Sequence, residues 1–271
     1  NYCKVKKSGS DISLIKNPKR DIIKSLWIGK FLNEVTELCI ESWLKLDYQI
    51  ILYIDILNMP KKWDIYRQRG QLIFLKASDI MEYKKKEEIL PYSDLFRYKM
   101  LFEQGGTWCD TDMYLLKRLP QSKQIISSEF TMAAGAFKSD LFYKANIGVL
   151  RFEQYSPILE EVINKIQKSN KLHTATDRMK IFTKVVMKKC YLDVSPPSVY
   201  CPTNWWNCAE QYDNKGYSTK YAVEPLSNEY ILEHSIGCHL WNHFTFNKCN
   251  IDFNNIPEDS LFGQLYSRIH S

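Results

Sequence analysis

The sequence predicts an α/β protein, a mixed and mostly parallel sheet flanked by helices. Aliphatic runs at 22–27, 48–54 and 72–75 have the length and composition of buried strands. The stretch between the first two repeats apolar residues at helical spacing, and strands that alternate with helices build parallel sheets. Trp27, Asp55, Asp110 and Asp112 all fall at or just beyond strand ends. Ligands bind at that edge of such sheets.

Residues 1–20 are polar, lysine-rich and without period, and are expected to form an arm. The run 22–27 closes at Gly29. Leu32, Val35, Leu38, Cys39, Ser42 and Trp43 recur at three and four residues, predicting a helix over 33–46. Strands at 48–54 and 72–75 come next. Ser93 is positioned to cap a helix whose inner face is Leu95, Tyr98, Leu101 and Phe102, and Gly105-Gly106 stops it. Strand is expected through Trp108 and again at 113–116, 125–130 and 147–152. Ser156-Pro157 opens a helix with proline in its first turn. Another is expected near 176–189, and 194–214 reads as loop. One domain over 21–250 is expected, with 251–271 an extension packed on it.

Composition removes several function classes. Net charge is +6, from 37 basic and 31 acidic residues, with lysines in short scattered runs. A nucleic-acid binder would concentrate arginines in a recognisable module, so that role is disfavoured. A weak pull toward an anionic substrate or membrane surface is compatible with the charge. The aromatic content of 14% suits a protein that grips flat ligands such as bases or sugar rings, and equally suits a well-packed core. Eight cysteines show no C-x-x-C pair. Buried free thiols are the favoured reading, with pairing among Cys201, Cys208, Cys238 and Cys249 the alternative in an oxidising compartment.

The chemistry concentrates at Asp110-Thr111-Asp112. Two carboxylates one residue apart at a strand end make a seat for a hard cation that carries phosphate oxygens. Alone the pair is a weak signal, because acidic residues at this spacing are common on solvated turns. Asp94 and Arg97 lie one helical turn apart on the preceding helix and face one side. By itself that pair would be a surface salt bridge worth tenths of a kcal/mol. His234, His239 and His243 mimic a zinc spacing, but a loose surface cluster is the favoured reading.

The block from Ser93-Asp94-Leu95-Phe96-Arg97-Tyr98 through Gly105-Gly106-Thr107-Trp108-Cys109-Asp110-Thr111-Asp112 resembles the signature of the DXD-containing sugar transferases. These include α-1,4-galactosyl- and N-acetylglucosaminyltransferases, yeast-type initiating mannosyltransferases, capsule and lipopolysaccharide enzymes, and clostridial glucosylating toxins. Ser25-Leu26-Trp27-Ile28-Gly29, Asn146-Ile147-Gly148-Val149 and Cys238-His239-Leu240-Trp241-Asn242-His243 resemble further family segments in the same order. The resemblance implies a GT-A type, Rossmann-like fold and a metal-dependent transferase acting on a nucleotide diphosphate sugar with retention of configuration.

It also implies roles. Asp112 would ligate Mn2+ or Mg2+, with Asp110 on metal-bound water or ribose. Asp94 and Arg97 would grip the donor sugar, and Trp27, with Ile28 beside it, would stack on the base. Trp108 would wall the pocket. His239, Trp241 and Asn242 would close over the diphosphate, with His239 or Asn242 as a third ligand. Cys109 and Thr107 depart from the usual residues without removing a ligand.

The implied donor is UDP-galactose or UDP-N-acetylglucosamine, then UDP-glucose, with GDP-mannose behind. The acceptor is a glycan, glycolipid or protein. Glu129 and Asp140 are candidate acceptor contacts, and Trp205-Trp206 is either an acceptor platform or core. A phosphatase of the haloacid dehalogenase type is disfavoured by Tyr114 and by the elements preceding the aspartates. A nucleotide-sugar-binding module without catalysis is the other rival. No run approaches the roughly 20 apolar residues of a membrane span and no leader is recognised. A cytoplasmic enzyme of bacterial or viral type is expected, with a lumenal fragment of an anchored enzyme as the alternative.

Overall fold

The computed structural model describes residues 2–4, 20–55, 58–84, 89–132, 141–169, 175–189, 193–207, 210–213, 226–243, 245 and 251–271. The chain begins β1 (Tyr2–Lys4), β2 (Ile22–Trp27), α1 (Glu34–Lys45), β3 (Gln49–Ile54), β4 (Asn58–Pro60), α2 (Asp64–Gln68), β5 (Leu72–Lys76) and α3 (Ile89–Gln104). It continues β6 (Gly106–Cys109), β7 (Met113–Leu115), β8 (Ile125–Met132), β9 (Leu141–Phe152), α4 (Pro157–Lys168) and α5 (Ala175–Lys189). Short helices α6 (Pro197–Tyr200), α7 (Glu210–Asp213) and α8 (Asn228–His234) lead to β10 (Gly237–His239) and α9 (Leu261–His270).

Six strands form the main sheet in the order β5-β3-β2-β6-β9-β8. The pairings β5/β3, β3/β2 and β2/β6 are parallel, whereas β9 runs antiparallel to both β6 and β8. This is the expected mixed, mostly parallel sheet. Alternation along β3 explains its layers. Ile50, Leu52 and Ile54 pack with Ile40, Trp43 and Leu44 of α1 on one face. Ile51 and Tyr53 pack with Phe96 and Met100 of α3 and with residues of α4 and α5 on the other. A third cluster joins the outer side of α1, through Val35, Leu38 and Cys39, to Ile231, Leu261, Phe262 and Leu265.

Four differences from the sequence reading have physical causes. Residues 2–4 of the expected arm pair antiparallel with β4. The helix expected to start at Ser93 starts at Ile89, with Pro91 tolerated in its first turn, so Ser93 is an interior residue and no cap. That helix buries Asp94, Phe96, Arg97 and Met100 as well as Tyr98 and Leu101. It is covered by the sheet on one side and by α4 and α5 on the other, which erases a single apolar stripe. Strand β7 leaves the main sheet and pairs antiparallel with β10, a partner more than a hundred residues downstream. Finally, 194–214 contains α6, a 3-10 turn at Trp205–Asn207, and α7.

Cys39, Cys109, Cys201 and Cys238 are buried free thiols. Burial pushes the Cys238 thiol up to about 12. Cys208 and Cys249 lie outside the described residues. Among the described residues no helix is long and apolar enough to cross a membrane.

Candidate active site

The chain stops being strand at Cys109, and its backbone is then pinned from two sides. The Asp110 amide donates to the Gly148 carbonyl at 2.7 Å, and the Leu240 amide donates to the Asp112 carbonyl at 2.9 Å. The Met113 amide closes the turn onto the Asp110 carbonyl at 2.9 Å. Helix α1 steadies the residues after the turn. Trp43 Nε1 donates to the Met113 carbonyl at 2.8 Å, and the Leu115 amide donates to Ser42 Oγ at 3.0 Å.

Arg97 is the hub on the α3 side. Its Nη1 donates to Asp110 Oδ1 at 2.7 Å and to the Ile147 carbonyl at 2.9 Å. Its Nη2 donates to Ser93 Oγ at 3.0 Å and lies 3.3 Å from Asp94 Oδ1. The guanidinium stacks 4.9 Å over the Trp108 ring, and Trp108 Nε1 donates to the same Asp110 oxygen at 2.8 Å. Burial works against the Arg97 charge, yet Asp110 and Asp94 outweigh it and raise the pKa. Asp94 is 4% exposed, and burial pushes its carboxyl up to about 7 against the pull of Arg97.

Asp112 is held from the C-terminal side. Its Oδ1 lies 3.1 Å from His239 Nε2, and its Oδ2 accepts from the Asn242 amide at 2.9 Å. Burial would raise the Asp112 carboxyl, but the charge and hydrogen bond of His239 and the Asn242 amide lower it overall. Burial would likewise lower His239, and Asp112 raises it above the usual imidazole range. Asn242 Oδ1 accepts from Asn33 Nδ2 at 3.1 Å, and Asn33 caps α1 by accepting from the Thr36 amide at 2.9 Å. Trp241, next to Asn242 in sequence, has a φ of +52°, a left-handed conformation uncommon for a bulky residue.

These groups border a cleft of about 340 Å³. Apolar Leu26, Trp27, Ile28, Ile89 and Leu90 and polar Arg97, Asp110, Asp112 and Asn242 line it together. Asp110, Asp112 and His239 offer ligand atoms within 4.8 Å of one another, the one such three-residue group among the described residues. Two carboxylates and an imidazole make a donor set for a divalent cation, the carboxylates suiting Mn2+ or Mg2+.

The other expected residues take varied places. Trp27 and Trp108 both line the cleft. Asp94 and Trp241 do not; Asp94 turns to Arg97, and Trp241 stacks on His239 at 4.0 Å and donates to the Thr203 carbonyl. Asp55 is exposed and away from the cleft lining. His243 lines the cleft, whereas His234 sits beside Tyr230 and Glu233 outside the ligand group. Trp205 and Trp206 meet edge to face, with Trp205 against the core. Glu129 is buried, and Asp140 lies outside the described residues. Sequence reasoning missed Asn33 as a cleft residue; its signal was a cap at the start of a helix that comes after a strand end.

Residues 33–131 match the family described as the glycosyltransferase sugar-binding region containing DXD motif. An uncharacterized protein of Arabidopsis thaliana is 26% identical over 165 residues, 57% of this chain and 24% of that one, so the chain spans about a quarter of that relative. The PaToxG glycosyltransferase overlaps with a TM-score of 0.42 at 16% identity, over 64% of this chain and 70% of that one. The apo-form glycosyltransferase GlyE of Streptococcus pneumoniae TIGR4 overlaps at 0.40 and 13%, over 66% and 46%. The UDP-bound glycosyltransferase domain of the YGT toxin gives 0.35 and 10%, over 90% and 81%. The matched segment holds Asp94, Arg97, Trp108, Asp110 and Asp112, so the part of the chain that carries the two aspartates is similar to the DXD-containing glycosyltransferase region.

Proposed function

We propose that this chain is a metal-dependent, retaining glycosyltransferase that moves a hexose from a UDP-sugar to a hydroxyl of a glycan, lipid or protein acceptor. The observation that carries the reading is the convergence of Asp110, Asp112 and His239, two of which line a cleft that Trp27 also lines. UDP-galactose and UDP-N-acetylglucosamine are the preferred donors, UDP-glucose the next, and GDP-mannose the alternative.

In this reading Trp27 stacks on the base, and Asp112 and His239 hold Mn2+ or Mg2+. Asp110 contributes Oδ2, the oxygen opposite the one occupied by Arg97 and Trp108. A divalent cation bound there offsets the charge that develops on the departing diphosphate. Arg97 and Trp108 keep Asp110 aimed before substrate arrives, so no reorganisation is needed as charge moves. Among the described cleft residues the carboxylates are Asp110 and Asp112, both committed to hydrogen bonds. With the retention of configuration that the resemblance implies, the acceptor proton would pass to the departing diphosphate oxygen as the bond from that oxygen to the sugar breaks.

A panel of nucleotide sugars, assayed for hydrolysis and transfer with and without Mn2+, tests this. One UDP-sugar should be turned over in a Mn2+-dependent manner, and Asp112→Asn should abolish that turnover in a folded protein. Full activity in the variant would sink the assignment. Tight UDP binding without turnover of any donor would make the chain a binding module instead.

A further inference from the structure

Beneath the two aspartates the sheet is irregular, and the irregularity is built. Along β8 and β9, Ile126 pairs with Leu150 but Ser128 pairs with Ala145. One residue of β8, Ser127, thus faces the four residues Asn146–Val149 of β9, a bulge that takes those residues out of register with β8 while Val149 keeps Cys109 of β6 as its partner on the other side. Their backbone groups are satisfied in another way. The Gly148 amide donates to Asn146 Oδ1 at 2.7 Å, and the Val149 amide donates to Ser127 Oγ at 3.1 Å. Ser127 Oγ in turn donates to the Asn146 carbonyl at 3.1 Å. Two further carbonyls point at the site: Ile147 accepts from Arg97, and Gly148 accepts from the Asp110 amide.

The Asn146 side chain is the keystone, and its orientation is set by Glu129. Asn146 Nδ2 donates to Glu129 Oε2 in a short hydrogen bond, which turns Oδ1 toward the Gly148 amide. Glu129 is 4% exposed and directly opposite Lys144 across the strands, with Lys144 Nζ 2.7 Å from Oε1. Both carboxylate oxygens are therefore taken. A Cβ at Gly148 would come within 2.8 Å of Asn146 Oδ1, so the amide sits hard against the bulge.

We infer that Glu129 is a positioning residue for this site: through the Asn146 amide it holds the bulge whose carbonyls seat Arg97 and Asp110. This replaces the acceptor contact expected of Glu129, and it rests on the proposed transferase reading only for its activity readout. Outer hydrogen-bond partners of ligand residues are commonly worth 10–100-fold in affinity or rate.

The experiment compares Glu129→Ala and Glu129→Gln in the full chain. Gln keeps an oxygen for Asn146 Nδ2, whereas Ala does not. Donor hydrolysis by water, acceptor KM in transfer, and hydrogen exchange of peptides spanning 106–113 and 146–150 are measured together. Glu129→Ala should lower hydrolysis and transfer about tenfold or more in parallel, leave acceptor KM unchanged, and speed exchange at both peptides; Glu129→Gln should restore most of each. Hydrolysis and exchange unaltered by Ala, with a raised acceptor KM, would overturn the inference. Equal loss in both variants would also overturn it, by showing that the Asn146 contact is not what matters. A parent chain that hydrolyses no donor would count against the transferase reading, while the exchange contrast between the variants still decides the role of Glu129.

Discussion

A guanidinium buried between two carboxylates, as Arg97 is between Asp94 and Asp110, does little good in isolation and much harm when one partner is removed. Arg97→Met leaves two acidic groups facing each other with no cation, and should lower stability by about 3–5 kcal/mol, read from the urea midpoint. Asp94 offers a pH test. Its folded pKa of about 7 lies above the ordinary 3.8, so the folded state favours the protonated carboxyl. The stability it contributes is complete below about pH 4 and is lost as pH rises through 7. Between pH 5 and pH 8 the parent should therefore lose more stability than Asp94→Asn does, a difference on the order of 3 kcal/mol at most, read from urea midpoints at the two pH values. A parallel pH dependence in both proteins would show that Asp94 titrates normally.

At the scale of elements, the passage from α3 to β6 depends on Gly105. Its φ is +60°, and an added Cβ would lie 2.7 Å from the Gln154 amide nitrogen. Gly105→Ala combines backbone strain with a clash against main chain and should destabilise by roughly 2 kcal/mol or more in thermal melts. That stop was legible in the sequence because Gly-Gly is local chemistry. So were β2, α1, β3 and β5, whose patterns arise from one sheet with two covered faces. The start of α3 was missed because Ile89 and Leu90 are exposed and Pro91 reads as a break, while Tyr92 is buried with its hydroxyl donating to the Met81 carbonyl. The β7/β10 ribbon was missed because residues paired in register across the two strands, such as Met113 and His239, share no local pattern. The same limit applies to the site. Asp110, Asp112, Arg97 and Trp108 were legible together because they fall in one block. That Glu129 turns inward to Asn146, and that Asn33 reaches Asn242, depends on pairings that spacing does not encode.

Over the whole molecule, α1 is the shared wall of two cores. One side packs on the sheet and the other receives the C-terminal helix α9. Its first turn begins at Asn33, which touches both the cleft and Asn242. Residues far from the cleft thus support it through packing alone. Phe262 is 3% exposed within the outer cluster, beside Tyr212 at 4.9 Å. Phe262→Ala should cost about 3–5 kcal/mol, measured by chemical denaturation. A loss below 1 kcal/mol would show that α9 is a loosely attached tail and not part of the core.

The left-handed backbone at Trp241 carries a consequence for how this protein would respond to selection. A bulky residue there holds on the order of 1–3 kcal/mol of conformational strain, and glycine or asparagine would release it. A screen for heat resistance alone should nevertheless leave position 241 as it is, because losing a ring that is 6% exposed within the core costs about 3–5 kcal/mol, more than the strain released. The same ring braces His239, and the turn it occupies points the Asn242 amide at Asp112. The core thus pins a backbone conformation that local chemistry disfavours, at a residue that does not line the cleft.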